Sequence, residues 1–286
     1  MKCKKEDFVL AFGSILKKYP KKMDFLSSAL SVSQLGDQNH WVLAMFLYLT
    51  VVDANRRASG RFVGSRLYDV AALTVMGFGG GIVNPVLLGH DGFFPFPMGN
   101  DLVLPTILAA YVFTGVVGAT QLDVPGVRHV RLVAFELVRA KLIHGWCTKS
   151  AQIIPSSYFP QMAVFGVLLC GAIGGCGGLF LINGGISPIK DSVPWPVESA
   201  ITASLVHFLV TNAFLVLPPV VVDALGENVN HAHLCIAVVL VFTRLIPAAR
   251  AALPWRLVPL PGGAVTTPAN QELKEKSTRN GSKKRD

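Results

Sequence analysis

Apolar stretches of about 20 residues, parted by short polar segments, set the rhythm of this chain, and about 20 residues is what a helix needs to cross the hydrocarbon core of a bilayer. Seven such helices are predicted. They cover 38–54, 65–89, 101–121, 126–146, 159–183, 197–222 and 232–252. The first also has an amphipathic approach from Met23. Residues 1–37 read as a basic N-terminal segment, 38–252 as a seven-helix transmembrane domain, and 253–286 as a Pro- and Gly-bearing linker followed by a flexible basic tail. The predicted fold class is an all-α polytopic membrane protein.

The second and fifth helices carry glycine clusters about ninety-six positions apart: Gly77-Phe78-Gly79-Gly80-Gly81 and Gly174-Gly175-Cys176-Gly177-Gly178. Each cluster is followed by an apolar run and an asparagine, Asn84 or Asn183. Glycine inside a helix costs about 1 kcal/mol relative to alanine. Such clusters therefore mark places where helices approach closely or where a helix breaks. The two clustered helices are the middle members of consecutive triplets. A repeat with an odd number of spans inverts its neighbour across the membrane, which gives a 3+3 inverted repeat plus one helix. Paired interrupted helices in such repeats point to a conduction or binding site. The simpler reading is close packing through small residues.

Composition strengthens the membrane assignment. The chain is 51% hydrophobic and 15% charged, against about 25% charge in soluble domains, and its mean hydropathy is +0.49. Its five cysteines (Cys3, Cys147, Cys170, Cys176, Cys235) have neither metal-ligand spacing nor the even count of a disulfide framework. The N-terminus lacks a cleavable signal pattern, so the first span is expected to serve as the insertion signal. The net charge of +9 gathers at the ends, in Lys2, Lys4, Lys5, Lys17, Lys18, Lys21 and Lys22 and in Lys274, Lys276, Arg279, Lys283, Lys284 and Arg285. Basic flanks beside a membrane orient the chain or meet headgroups, and no partner nucleic acid is expected. Arg56, Arg57, Arg61 and Arg66 between the first two helices, against acidic loops at Asp91 and Asp101 and at Asp223 and Glu227, favour a cytosolic C-terminus and a luminal N-terminus. The lysine-rich N-terminus argues the other way.

Chemistry concentrates on the fourth helix. Arg128, Arg131, Glu136, Arg139 and Lys141 fall within one predicted span, where unpaired charge costs several kcal/mol. Glu136 and Arg139, three apart, share a face and can pair. Arg131 and Arg139 follow one side, and Lys141 points roughly opposite Arg139. A surface-lying amphipathic helix is the alternative. His207, Thr211 and Asn212 on the sixth helix suit interhelical hydrogen bonds. Arg244 on the seventh follows a long apolar run and could line a cavity, while Asp53 and Asp69 sit where an interface would be. No nucleophile stands beside a base, no carboxylates pair, and Gly79-Gly80-Gly81 lacks the lysine and serine of a phosphate loop. An enzyme is not expected.

At these residues the chain resembles the trimeric intracellular cation (TRIC) channels. The resemblance rests on Phe78-Gly79-Gly80-Gly81-Ile82, the glycine-rich fifth helix, the charged fourth helix and the basic residue in the seventh, and it spans the first helix to the seventh. It implies a homotrimer in the endoplasmic reticulum or another intracellular membrane, with a pore in each protomer. It implies monovalent cation conduction, mainly of potassium ions, balancing charge as calcium leaves or enters a store. It further implies kinks at Gly79, Gly80, Gly81, Gly174, Gly175, Gly177 and Gly178, which would free backbone carbonyls along the pore. Gating or lipid-headgroup roles then fall to Glu136, Arg139, Arg131, Lys141 and Arg244. Animal members bind an inositol lipid through a Lys-Glu-Val-x-Arg motif on the fourth helix. Here Phe135 replaces the lysine while Glu136 and Arg139 match, so that lipid loses one phosphate partner. No cofactor or metal is implied, and a bound phospholipid is the single candidate ligand besides ions. Lys283-Lys284-Arg285-Asp286 resembles the Lys-Lys-x-x retrieval signal of endoplasmic reticulum proteins, which Lys283 and Lys284 would carry. The alternatives are a secondary transporter built on the same inverted repeats and a lipid-binding structural membrane protein.

Overall fold

The computed structural model describes residues 38–59, 65–89, 95, 98–155, 163–182, 184, 189, 193–212 and 231–245. Among these residues the regular structure is wholly helical: α1 Gln38–Ala58, α2 Arg66–Leu88, α3 Val103–Val117, α4 Pro125–Ile153, α5 Val164–Ile182, α6 Trp195–Thr211 and α7 His231–Leu245, with a short 3₁₀ turn Gln121–Asp123 before α4. Each falls on a predicted span. α4 continues to Ile153, beyond the expected stop near 146, and α6 closes at Thr211, short of the expected end at 222, with 213–222 outside the described residues. The run Trp146-Cys147-Thr148-Lys149-Ser150 mixes polar and apolar residues but contains no helix breaker. The chain divides into two units, Met1–Phe242 and Thr243–Asp286. Of the second, only residues 243–245, the closing turn of α7, are described, and Arg244 lies there. The basic N-terminal segment, Asn183 and the tail with Lys283 and Lys284 lie outside the described residues.

Local chemistry sets the boundaries of α2. Ser65 caps its first turn by accepting from the Tyr68 N–H, and Asp69 adds an acid where the helix dipole favours one. Gly89, at φ 55°, closes it in the left-handed conformation and donates its N–H to the Pro85 carbonyl. Twenty-three residues, at about 1.5 Å each, give α2 a length that crosses a bilayer. Both α2 and α5 are long and apolar enough to span by length and composition. The outer face of α3 is apolar as well, with Leu104, Val112 and Val116 exposed. This is the inside-out surface that lipid or a neighbouring copy would cover.

Two cores flank the centre. Met45, Leu49, Leu73, Phe78, Val103 and Ile107 join α1, α2 and α3. Ile143, Cys147, Val167, Ala200, Ala203 and Leu240 join α4, α5, α6 and α7. Lipid is as apolar as leucine, so close van der Waals fit and interhelical hydrogen bonds hold such cores together. The first three helices are also tied by charge. Arg56 pairs with Asp53 on α1 (3.0 Å) and with Asp69 on α2 (2.7 Å), and Arg57 pairs with Asp53 at 2.8 Å. Tyr111 on α3 donates to Asp69, and the Arg57 guanidinium lies over the Tyr111 ring. Asp53 and Arg56 are buried, so these residues, expected at an interface, form an internal network. Arg56→Met should leave buried Asp53 with Arg57 alone and half-buried Asp69 with the Tyr111 hydroxyl alone, and cost up to about 3 kcal/mol. Thermal melting of the purified variant checks this, and an unchanged midpoint would make the network dispensable.

The helix crossing and the Arg139 clasp

The most extensive helix contact among the described residues is α2 against α5, and it is made by the glycines. A Cβ placed on Gly79 would overlap the backbone of Gly178, and one on Gly80 would overlap Ile173 and Gly174. A Cβ on Gly177 would lie 2.7 Å from the Gly80 nitrogen, and one on Gly178 would lie 2.6 Å from the Val75 carbonyl oxygen. Only hydrogen fits on either side.

These contacts fix the register of the repeat. Equating residue i with i + 98 interchanges the Gly79–Gly178 contact with the Gly80–Gly177 contact, and the Gly80 contact to Ile173 and Gly174 with the Gly178 contact to Val75 and Met76. The crossing is therefore symmetric about a pseudo-two-fold axis, residue by residue. Under the same offset Gly77 matches Gly175, and these two share a second property. Tyr48, on the first helix of its repeat, donates to the Gly77 carbonyl at 3.1 Å. Arg139, on the first helix of the other repeat, donates to the Gly175 carbonyl at 3.0 Å. Each glycine seats its helix against the opening helix of its own repeat, on Leu49 for Gly77 and on Ile143 for Gly175.

α2 and α5 are helical through both clusters, so of the two uses expected of the glycines, breaking the helix and close approach, the structure displays the second. Close approach is what the glycines provide. One carbonyl is freed by another route: Pro85 inside α2 has no N–H, which leaves the Gly81 carbonyl without its helical partner. One turn away, Asn84 is fully buried and donates from Nδ2 to the Cys170 carbonyl on α5 at 2.8 Å, while its Oδ1 has no partner among the described residues.

Beside the crossing sits Arg139. Its Nη1 contacts Glu136 Oε2 at 2.6 Å, and its Nη2 donates to the Pro196 carbonyl at 2.8 Å and to Ser199 Oγ at 2.9 Å. With the Nε bond to Gly175, one guanidinium thus ties α4 to α5 and α6. The planar fork of arginine suits this divergent set, which a lysine could not reproduce. Phe135, in place of the motif lysine, stacks on Tyr48 at 5.0 Å and lies under the Arg139 guanidinium. The expected pairing of Glu136 with Arg139 is present. Their expected lipid-headgroup role is not compatible with this conformation, since both side chains are buried and the arginine is spent on protein acceptors.

The other charged residues of α4 do not join them. Arg131 turns back to the Leu122 carbonyl in the 3₁₀ turn, and Lys141 lies on the far side of the helix, toward His233 of α7. His207 and Thr211 do share a face, with the Thr211 hydroxyl donating to the His207 carbonyl, and His207 Nε2 lies 3.5 Å from Thr148 Oγ1 on α4. Tyr48, Ser199, His144 and His233 were not singled out from the sequence. A tyrosine in the middle of an apolar span is the signal for the first, because its hydroxyl needs a buried partner.

The fold has counterparts among solved structures. A structure described as the basis for conductance through TRIC cation channels aligns with a TM-score of 0.53 at 15% identity, covering 75% of this chain and 93% of that one. A trimeric intracellular cation channel from C. elegans without Ca2+ aligns at 0.56 and 16% identity, over 79% of this chain and 97% of that one. The same type of channel with bound Ca2+ aligns at 0.52 and 18% identity, over 78% and 96%. The fold is that of the TRIC channels. No family model and no curated protein sequence matches the chain. The seven-helix TRIC fold is a polytopic membrane fold, and the α2–α5 crossing is its central element in this chain.

Proposed function

We propose that this protein is a cation channel whose path runs beside the α2–α5 crossing within each protomer. One observation carries the reading: two glycine faces related by a pseudo-two-fold axis meet at the centre of a TRIC fold. The Gly81 carbonyl, which lacks its helical donor, and Asn84 Oδ1, without a partner among the described residues, lie next to that crossing. Neutral oxygens of this kind can replace part of a cation's hydration shell. The cationic Arg139 is neutralised by Glu136 and fixed by four donations, so it shapes the wall without serving as an ion ligand.

Potassium as the main ion, a homotrimeric assembly, and residence in the endoplasmic reticulum or another intracellular membrane complete the proposal. They are supported by the likeness to channels named trimeric and intracellular and by the Lys-Lys-x-x-like tail. Proteoliposomes holding purified protein should release potassium down its gradient, without a coupling ion and without saturation by any solute. Uptake that saturates and requires a second ion would instead identify a transporter on the same repeats. Changing Lys283 and Lys284 to serine should move the protein toward the cell surface, and unchanged reticular staining would remove the tail as its address.

A further inference from the structure

Away from the crossing, three of the chain's seven histidines meet inside the second core. The His144 ring on α4 lies 5.0 Å from that of His207 on α6 and 5.5 Å from that of His233 on α7. The first pair is tilted by 50° and the second stacked at 24°. His207 and His233 are buried, and His144 is half-buried. A purely apolar packing site would not gather three imidazoles from three helices.

The titratable groups around them come from each neighbouring element. Lys141 stands one turn before His144 on α4 and acts on His233. Cys147 follows one turn later, with Cys170 of α5 near it. His231 and Cys235 flank His233 on α7. Thiols stay neutral through the range in which imidazole titrates. The groups that gain charge on acidification are therefore the rings themselves, and they do so beside the lysine.

We propose that His144, His207 and His233 form a proton-binding site that sets how tightly α4, α6 and α7 pack. With the rings neutral, they pack against one another and close the three helices around the second core. The first proton taken up on acidification places a cation beside Lys141, a second sets two imidazolium rings against each other, and like charges at such spacing push the helices apart. Because α4 also carries Arg139, loosening there reaches the α2–α5 crossing through Gly175. The effect on conduction rests on the channel reading; the effect on packing does not.

The test follows thermal unfolding of the purified full-length protein from pH 7.5 down to pH 4, beside potassium flux in proteoliposomes. The wild-type midpoint should fall on acidification, and flux should change by up to about tenfold per pH unit for each linked proton. His144→Gln removes both ring pairs at once and should flatten both responses. His129→Gln, at an exposed ring outside the cluster, should leave them as in wild type. Should His144→Gln fail to fold, His207→Gln and His233→Gln each remove one pair and should each reduce the response. A wild-type midpoint that does not move with pH, or a full response surviving in His144→Gln or in both single-pair variants, would overturn the proposal. A protein that passes no potassium but melts as described would keep the proton site and sink the channel reading alone.

Discussion

Gly79→Ala should separate α2 from α5 and abolish potassium flux, while Gly115→Ala should leave flux intact. The contrast comes from what a single methyl group meets. At Gly79 it overlaps the Gly178 backbone, which cannot swing aside as a flexible side chain could. At Gly115, on α3, it meets nothing within 4 Å. Overpacking a core costs about 1–3 kcal/mol when neighbours can yield, and the cost against fixed backbone lies at or beyond the top of that range. An unobstructed glycine-to-alanine change inside a helix gains up to about 1 kcal/mol. The pseudo-two-fold axis adds a check. Gly177→Ala, which meets the Gly80 nitrogen from the other repeat, should reproduce the loss seen for Gly79→Ala. Melting temperature and flux measured on the same preparations decide it. Wild-type flux in Gly79→Ala would show that the contact is not needed.

Arg139→Met should be the most damaging change outside the glycines. It strands the Glu136 carboxylate, which is fully buried and whose Oε1 already lacks a partner among the described residues. It also leaves the Gly175 and Pro196 carbonyls without their donor. Removing one member of a buried ion pair costs about 3–5 kcal/mol. Arg139→Lys keeps the charge but not the fork, and should fall between methionine and wild type. Glu136→Gln combined with Arg139→Met removes both charges and should recover part of the loss, since the penalty is mostly the unpaired carboxylate. Thermal melting of the three variants tests this order. Equal destabilisation by Arg139→Met and by the double variant would show that Arg139 acts through something other than Glu136.

The helices were legible in the sequence because length and hydropathy dictate a membrane span with few exceptions. The Glu136–Arg139 pair was legible because an interval of three is enforced by helix geometry alone. The glycine clusters announced their importance but not their use. Glycine serves both for breaking a helix and for closing on a neighbour, and only the backbone of Gly178 lying against Gly79 decides between them. The offset of 98 was also hidden, since counting from the first glycine of each cluster gives a different pairing from the one the contacts impose. Tyr48, Ser199 and the three histidines act through partners 29 or more residues away. No local spacing reports such partners. Phe135 shows the reverse case. As a mismatch to a motif it suggested only a missing phosphate partner, yet in the fold it is the platform on which Tyr48 stacks.

Single-channel recording of the purified wild-type protein in a planar bilayer, under a potassium chloride gradient, tests the central claim most directly. Discrete current steps reversing near the potassium equilibrium potential, present in Gly115→Ala and absent in Gly79→Ala, are the result expected of a cation path at the α2–α5 crossing. Silence at every voltage, reversal near the chloride potential, or unaltered steps in Gly79→Ala would contradict it.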